Sequence, residues 1–211
     1  MSPELLQGRP TLRQILEGRS VGQTMHRSSY STDEILAVLD RIGRRLTGPQ
    51  GVLSLKVMWS DYERVLLARG LDLGHWGAPV TWLRIRRLDH VRQAVSWSRA
   101  LQTGQWNSAS SSRLSPLFNP QQIENCLAMA KDWDASWDSY FNRLGIQPFT
   151  LHYEDLSADY KATICDVFDH LGLSDHAIPP AHLRRQADFL NENWLKQFEA
   201  WQANRGARSP A

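Results

Sequence analysis

The residues best suited to chemistry gather at one junction. Arg84, Arg86 and Arg87 end a β-rich run that opens with Val80-Thr81-Trp82-Leu83 and continues through Ile85. Asp89 stands just beyond them, and Val91, Ala94, Val95 and Ser98 then fall at helical spacing. A strand that feeds a helix start leaves backbone N–H groups unpaired, and the helix dipole adds partial positive charge at the same place. With guanidinium groups beside it, such a junction favours an anion. On the pattern alone, an ordinary β-α unit whose basic loop faces water is the better fit, since charge runs usually face solvent.

The elements that must position this junction follow from capping and periodicity. Pro10-Thr11 can open a short helix that ends near Gly18, and residues 22–30 read as a polar loop. Ser31-x-x-Glu34 is a capping box, followed by an apolar stripe of Ile35, Leu36, Val38, Leu39 and Ile42. Residues 51–59, G-V-L-S-L-K-V-M-W, are rich in β-formers and predict a buried strand. Ser60-x-x-Glu63 predicts a second capped helix, and residues 70–79 a loop. After the junction, residues 107–120 predict a long polar connection that could act as a lid. A long helix is expected over 121–143, a strand over 146–153, a helix over 160–171 stopped by Gly172, and helical segments over 182–201 before a frayed tail at 203–211. Strands alternating with helices imply an α/β fold with a parallel sheet flanked by helices, in a single domain over 1–211.

Bulk properties narrow the class. The chain has 211 residues, 42% of them hydrophobic, enough for one domain with a core. Its formal charge of +2 is too small to argue for nucleic acid. Cys126 and Cys165 each sit inside an apolar helical pattern, so buried free thiols and a reducing, cytoplasmic setting are expected. The opening residues M-S-P-E-L-L-Q-G-R-P carry no apolar signal segment, and no run is long enough to span a membrane. Nine tryptophans are many for this length; packing accounts for most of them, although a groove for a sugar-like ligand uses them as well.

Four segments, in order, carry a family resemblance: L-K-V-M-W (55–59), R-R-L-D-H-V-R-Q-A-V-S-W-S-R-A-L-Q-T-G-Q-W (86–106), H-Y-E-D-L (152–156) and R-R-Q-A-D-F-L-N-E-N-W (184–194). Together they resemble the bacterial trehalose sulfotransferase-like family, which includes some lipopolysaccharide and nodulation-factor sulfotransferases. The resemblance implies a P-loop-NTPase-like architecture and a metal-free transfer of a sulfuryl group. The donor would be 3′-phosphoadenosine-5′-phosphosulfate (PAPS), and the acceptor a hydroxyl of a carbohydrate or glycolipid. It implies Arg87 and Ser96 as ligands of the donor's ribose phosphate, the arginine as a planar fork and the serine as a small hydroxyl donor. Some relatives have a further serine four positions earlier, where this chain has Arg92. Arg185 and Gln186 are implied to close over the nucleotide, Lys56 to meet the sulfuryl oxygens, and Trp59 and Trp106 to line the acceptor groove. Lys56 and the two tryptophans have plainer alternatives, a solvated strand lysine and ordinary packing, and Glu154 and Asp155 read as caps of the next segment rather than as acid–base groups.

The family pattern opens with an apolar strand, an R-S-G-S-T-like loop around the phosphosulfate and a glutamate base. This chain is expected to lack all three. The nearest approach, residues 27–32, reads as a helix cap, with Tyr30 where the loop needs glycine. An alternative reading is therefore a non-catalytic remnant that binds a nucleotide or a partner, and exposed sheet edges would favour a homodimer. A nucleic-acid binder built on Arg84, Arg86, Arg87, Arg92 and Arg99 is a third reading, weakened by Trp82 and Trp97 having the spacing of core residues.

Overall fold

The computed structural model describes residues 31–47, 51–75, 79–106, 114–181 and 189–206. They divide into two compact units, one ending at Val80 and the other beginning at Thr81. The expected helix at 10–18, the core of the supposed lid at 107–113, and Arg185 and Gln186 lie outside the described residues.

In the first unit, α1 spans Thr32–Leu46. The expected capping box forms: the Ser31 hydroxyl accepts from the Glu34 N–H at 3.2 Å, and the Glu34 carboxylate accepts from the Ser31 N–H at 2.7 Å. Ile35 and Leu39, one turn apart, are buried, whereas Leu36 is exposed. The second expected capping box does not form. The helix begins at Trp59, with Met58 as a cap that offers no side-chain bond. It continues from α2 (Trp59–Asp61) through a wider π turn at Tyr62–Leu66 to a 3₁₀ turn at Leu67–Arg69. Packing decides this. Trp59, Tyr62 and Leu66 are buried, and the Tyr62 hydroxyl donates to Asp72 at 2.7 Å while accepting the Leu73 N–H at 3.1 Å. Gly70, at φ 70°, ends the run in the left-handed conformation that a side chain would resist.

The strand expected over 51–59 is also corrected. Residues 52–58 join no β ladder, and Val52, Leu53 and Met58 are exposed. β-branched composition favours an extended backbone, but a strand exists only where a partner takes its hydrogen bonds.

The second unit holds the sheet. β1 (Leu83–Arg86) and β2 (Phe149–His152) pair in parallel, with Leu83 opposite Phe149 and Arg86 opposite His152. Parallel neighbours need a long crossover; here it contains α3 (His90–Thr103) and α4 (Pro120–Leu144). After β2 come α5 (Tyr153–Ala158), α6 (Tyr160–His170) and α7 (Phe189–Gly206), the last running to residue 206, into the tail expected to fray from 203. The unit is α/β, a small parallel sheet flanked by helices. α4 starts with the Asn119 side chain accepting the Gln122 N–H and Pro120 at its first position, and ends at Gly145 with φ 64°.

One face each of α3, α4 and α7 forms the main core: Ala94, Val95, Ile123, Cys126, Leu127, Trp194 and Phe198. Trp97 stacks at a tilt on Trp133, 4.9 Å between centroids. A second aromatic group, Trp82, Trp137, Tyr140 and Phe141, joins the approach to β1 to the far end of α4. Trp82 and Trp97 thus pack as their spacing implied. Cys165 does not: it is exposed on α6, whose buried positions are Thr163 and Val167. Two residues along a helix turn a side chain to the opposite face.

Candidate functional site

Parallel strands end at the same level, and ligands of α/β sheets gather beyond their carboxyl ends. Arg87 stands immediately past the end of β1. Because Arg86 pairs with His152, the next residues also meet: the Arg87 guanidinium carbon lies over the Tyr153 ring, 4.5 Å from its centroid. The stack holds the arginine against the ring by a cation–π contact.

The helix start beside it carries two carboxylates of the chain. Asp89 caps α3, its Oδ1 accepting the Arg92 N–H at 2.8 Å. Glu154, at the start of α5, reaches across to the same turn: Oε2 accepts the Leu88 N–H at 3.1 Å and Oε1 the Asp89 N–H at 3.3 Å. Partial burial alone would raise the Glu154 carboxyl. The N–H donors of Leu88, Glu154 itself and Asp89, helped by the nearby Arg87 charge, outweigh burial and hold it below the usual carboxylate value. The sequence suggests a cap for the segment that Glu154 opens; the side chain instead anchors the turn before α3.

The other arginines of the junction are committed to the fold. Arg84 is 8% exposed within β1 and binds the Asp138 carboxylate, with a second bond to the Asp134 carbonyl at 2.9 Å. Arg86 and His90 share the Asp134 carboxylate, at 3.3 and 3.0 Å. Arg92 pairs with Glu192 of α7 and with Asp89. These pairs leave little of the charge excess that a nucleic-acid reading needs. Asp134 and Asp138 were not anticipated as part of this region. The signal was present, since carboxylates at i and i+4 share one face of a helix and Arg84 and Arg86 at i and i+2 share one face of a strand.

Ser96 is half-buried on α3, seven positions after the cap and therefore on the same side of the helix as Asp89 and Arg92. On the flank of α3 that meets α7, Arg92 bonds Glu192 and Arg99 lies 3.4 Å from the Asn191 side-chain oxygen. Trp106 is 57% exposed, just past the Gly104 cap of α3. Lys56 and Trp59 belong to the first unit. Lys56 is exposed on the extended run, and Trp59 is buried edge-on against Tyr62, with ring centroids 6.1 Å apart. Of the candidates, then, Arg87, Ser96 and Trp106 fall in the second unit, Arg87 and Ser96 on the β1–α3 connection and helix. Among the described residues no group of three or more His, Cys, Asp or Glu side chains could hold a metal ion.

Comparison with known proteins agrees with the family resemblance. The chain is 26% identical over 167 residues to a trehalose 2-sulfotransferase of Mycobacterium tuberculosis (strain ATCC 35801 / TMC 107 / Erdman), covering 72% of this chain and 62% of that protein. A trehalose 2-sulfotransferase of Mycolicibacterium smegmatis (strain ATCC 700084 / mc(2)155) is 25% identical over 169 residues, covering 71% and 61%. The chain thus spans about three fifths of the length of the curated relatives it matches. The model of the Stf0 sulphotransferase family matches residues 18–201, across both units. The chain belongs to the Stf0 sulphotransferase family.

Proposed function

We propose that this protein acts in sulfuryl transfer from PAPS to a hydroxyl of a carbohydrate-type acceptor, and that the turn between β1 and α3 receives the donor's ribose phosphate. The observation that carries the reading is Arg87: a guanidinium at the carboxyl end of a parallel strand, stacked on Tyr153, within the residues that the family model matches. The relatives' names support a sugar acceptor. The family match across both units supports a single P-loop-NTPase-like domain.

The available groups fit a phosphate. The backbone N–H groups of Leu88 and Asp89 already serve Glu154, so side chains must meet the ligand. Arg87 offers a charged fork and Ser96 a hydroxyl. The two are separated by about two turns of helix, roughly 10 Å of rise, a gap that a long arginine side chain and an intervening phosphate would share. Arg185 and Gln186 precede α7 by a few residues, and α7 is the helix whose Asn191 and Glu192 face Arg99 and Arg92; they are proposed to close over the nucleotide. Trp106, exposed beyond α3, is proposed to face the acceptor.

PAPS supplies the sulfuryl group: the acceptor oxygen bonds its sulfur and gives up its proton to solvent, as the sulfur–oxygen bond to the nucleotide breaks and leaves 3′,5′-ADP. The chain's part is to hold the ribose phosphate still, so that the reacting atoms keep an in-line geometry. Lys56 and Trp59 rest on the resemblance alone, as a stabiliser of the sulfuryl oxygens and a wall of the acceptor groove. The two free cysteines suit a cytoplasmic location.

Calorimetry with 3′,5′-ADP tests the reading. Wild type should bind weakly but measurably, and Arg87→Ala should lower affinity at least tenfold, the scale of one charged hydrogen-bonding group. Equal affinity in the two proteins rejects the phosphate seat. Binding without turnover of any sugar acceptor would favour the non-catalytic alternative.

A further inference from the structure

We infer that Glu154 is a positioning residue for the donor phosphate: it fixes the Arg87–Asp89 turn and thereby aims the Arg87 guanidinium. This rests on the proposed role of Arg87. Three observations carry it. Leu88 is 60% exposed, so its side chain does little to anchor the turn. The Glu154 carboxylate instead accepts the N–H groups of both Leu88 and Asp89. The neighbouring residue, Tyr153, carries the Arg87 guanidinium on its ring.

The parallel register explains why one short segment does both. Arg86 lies opposite His152, so the chain leaving β1 and the chain leaving β2 emerge side by side. Tyr153 and Glu154 then grip Arg87 and the two residues after it in the same order. A carboxylate is suited to this task because each oxygen accepts one backbone N–H, and two contacts define the plane of the turn where one would leave it free to rotate. An amide at the same position offers one acceptor oxygen and turns an NH₂ group toward the second donor. An ionised carboxyl at this place also offsets the positive end of α3, so that the turn is stable before any ligand arrives. A phosphate entering beside it meets a guanidinium already oriented, and less conformational entropy is lost on binding.

The experiment compares affinities for 3′,5′-ADP and for 5′-AMP, which lacks the 3′-phosphate, in wild type, Arg87→Ala, Glu154→Gln and Glu154→Ala. Wild type should prefer 3′,5′-ADP, and Arg87→Ala should lose that preference. If wild type shows no preference, or Arg87→Ala keeps it, the phosphate seat itself fails and this inference falls with it. If Arg87→Ala behaves as expected, Glu154→Gln should lower the preference by roughly tenfold while 5′-AMP affinity stays unchanged. A loss of affinity for both nucleotides in equal measure, as general loosening would give, overturns the positioning role and leaves Arg87 in place. A preference equal to that of wild type does the same. Tighter binding of 3′,5′-ADP by Glu154→Ala also overturns it, since Glu154 would then be a competitor for the seat. Should the variants fail to fold, amide hydrogen exchange on wild type decides: protection of Leu88 and Asp89 should rise with 3′,5′-ADP more than with 5′-AMP, and equal protection counts against the inference.

Discussion

Replacing Asp134 by asparagine should loosen the end of β1 from α4. The Asp134 carboxylate serves Arg84, Arg86 and His90, and Arg84 is 8% exposed at its side chain while Asp134 is 20% exposed. Breaking a fully buried pair costs about 3–5 kcal/mol, because one charge is left without water or partner. Here Arg84 would keep Asp138 and the backbone carbonyl of residue 134, so a cost of about 2 kcal/mol is expected. Asp138 is 46% exposed, and Asp138→Asn should cost about 1 kcal/mol, nearer the range of surface pairs. The double substitution leaves Arg84 with neutral acceptors and no carboxylate and should exceed the sum of the two, reaching about 4 kcal/mol. Adding Arg84→Met to the double variant should recover much of that loss, since the stranded charge is removed and its volume kept.

Urea unfolding at a common slope measures each value as a shift of midpoint. A double variant within about 1 kcal/mol of wild type would refute the argument, because it would mean that water already reaches the Arg84 guanidinium. Acid supplies an independent check. The hydrogen bond from Arg84, with the charges of Arg84 and Arg86, holds the Asp138 carboxyl below its ordinary value against a smaller opposing effect of burial. A carboxyl depressed in the folded state contributes stability that is complete above its unfolded value, near pH 4, and is lost as pH falls through its folded value. Asp138→Asn should therefore show a shallower loss of stability below about pH 4 than wild type does.

Other substitutions probe the remaining supports. Asp89→Ala removes the cap that receives the Arg92 N–H and should lower stability by about 1 kcal/mol in thermal or urea unfolding. Phe198→Ala empties a fully buried position among α3, α4 and α7 and should cost about 3–5 kcal/mol, enough to shift the urea midpoint strongly. A thiol reagent at neutral pH should modify Cys165 quickly and Cys126 only on unfolding, because Cys165 is exposed while burial both shields the Cys126 thiol and raises its pKa. Two fast thiols would contradict the packing of α4.

Local signals were legible wherever a few neighbouring residues suffice. Ser31 and Glu34 close their capping box, Asp89 stands at the start of α3, and the apolar stripe from Val91 to Ser98 turns inward, all as spacing implies. The motif order from Leu55 to Trp194 pointed to the family, since an ordered set of segments survives in sequence without any coordinates. Signals of the same strength failed where distant partners intervened. Ser60-x-x-Glu63 has the same form as the first capping box, yet burial of Trp59 and Tyr62 pulls the helix start two residues earlier. Residues 52–58 have strand composition and pair with nothing in a β ladder.

The junction shows the division most clearly. That Arg84, Arg86 and Arg87 sit between a strand and a helix is a property of the amino-acid order. Which of them holds the fold together and which stands at the strand end is not. Alternation along β1 turns Arg84 and Arg86 toward Asp134 and Asp138. The parallel register brings Tyr153 and Glu154 to Arg87 and its turn. Periodicity is encoded in neighbouring residues, but the carboxylates that bind Arg84 and Arg86 come from some 50 positions away. Only closure of the chain brings them into range, because Coulomb and hydrogen-bond energies depend on distance in space and not along the sequence.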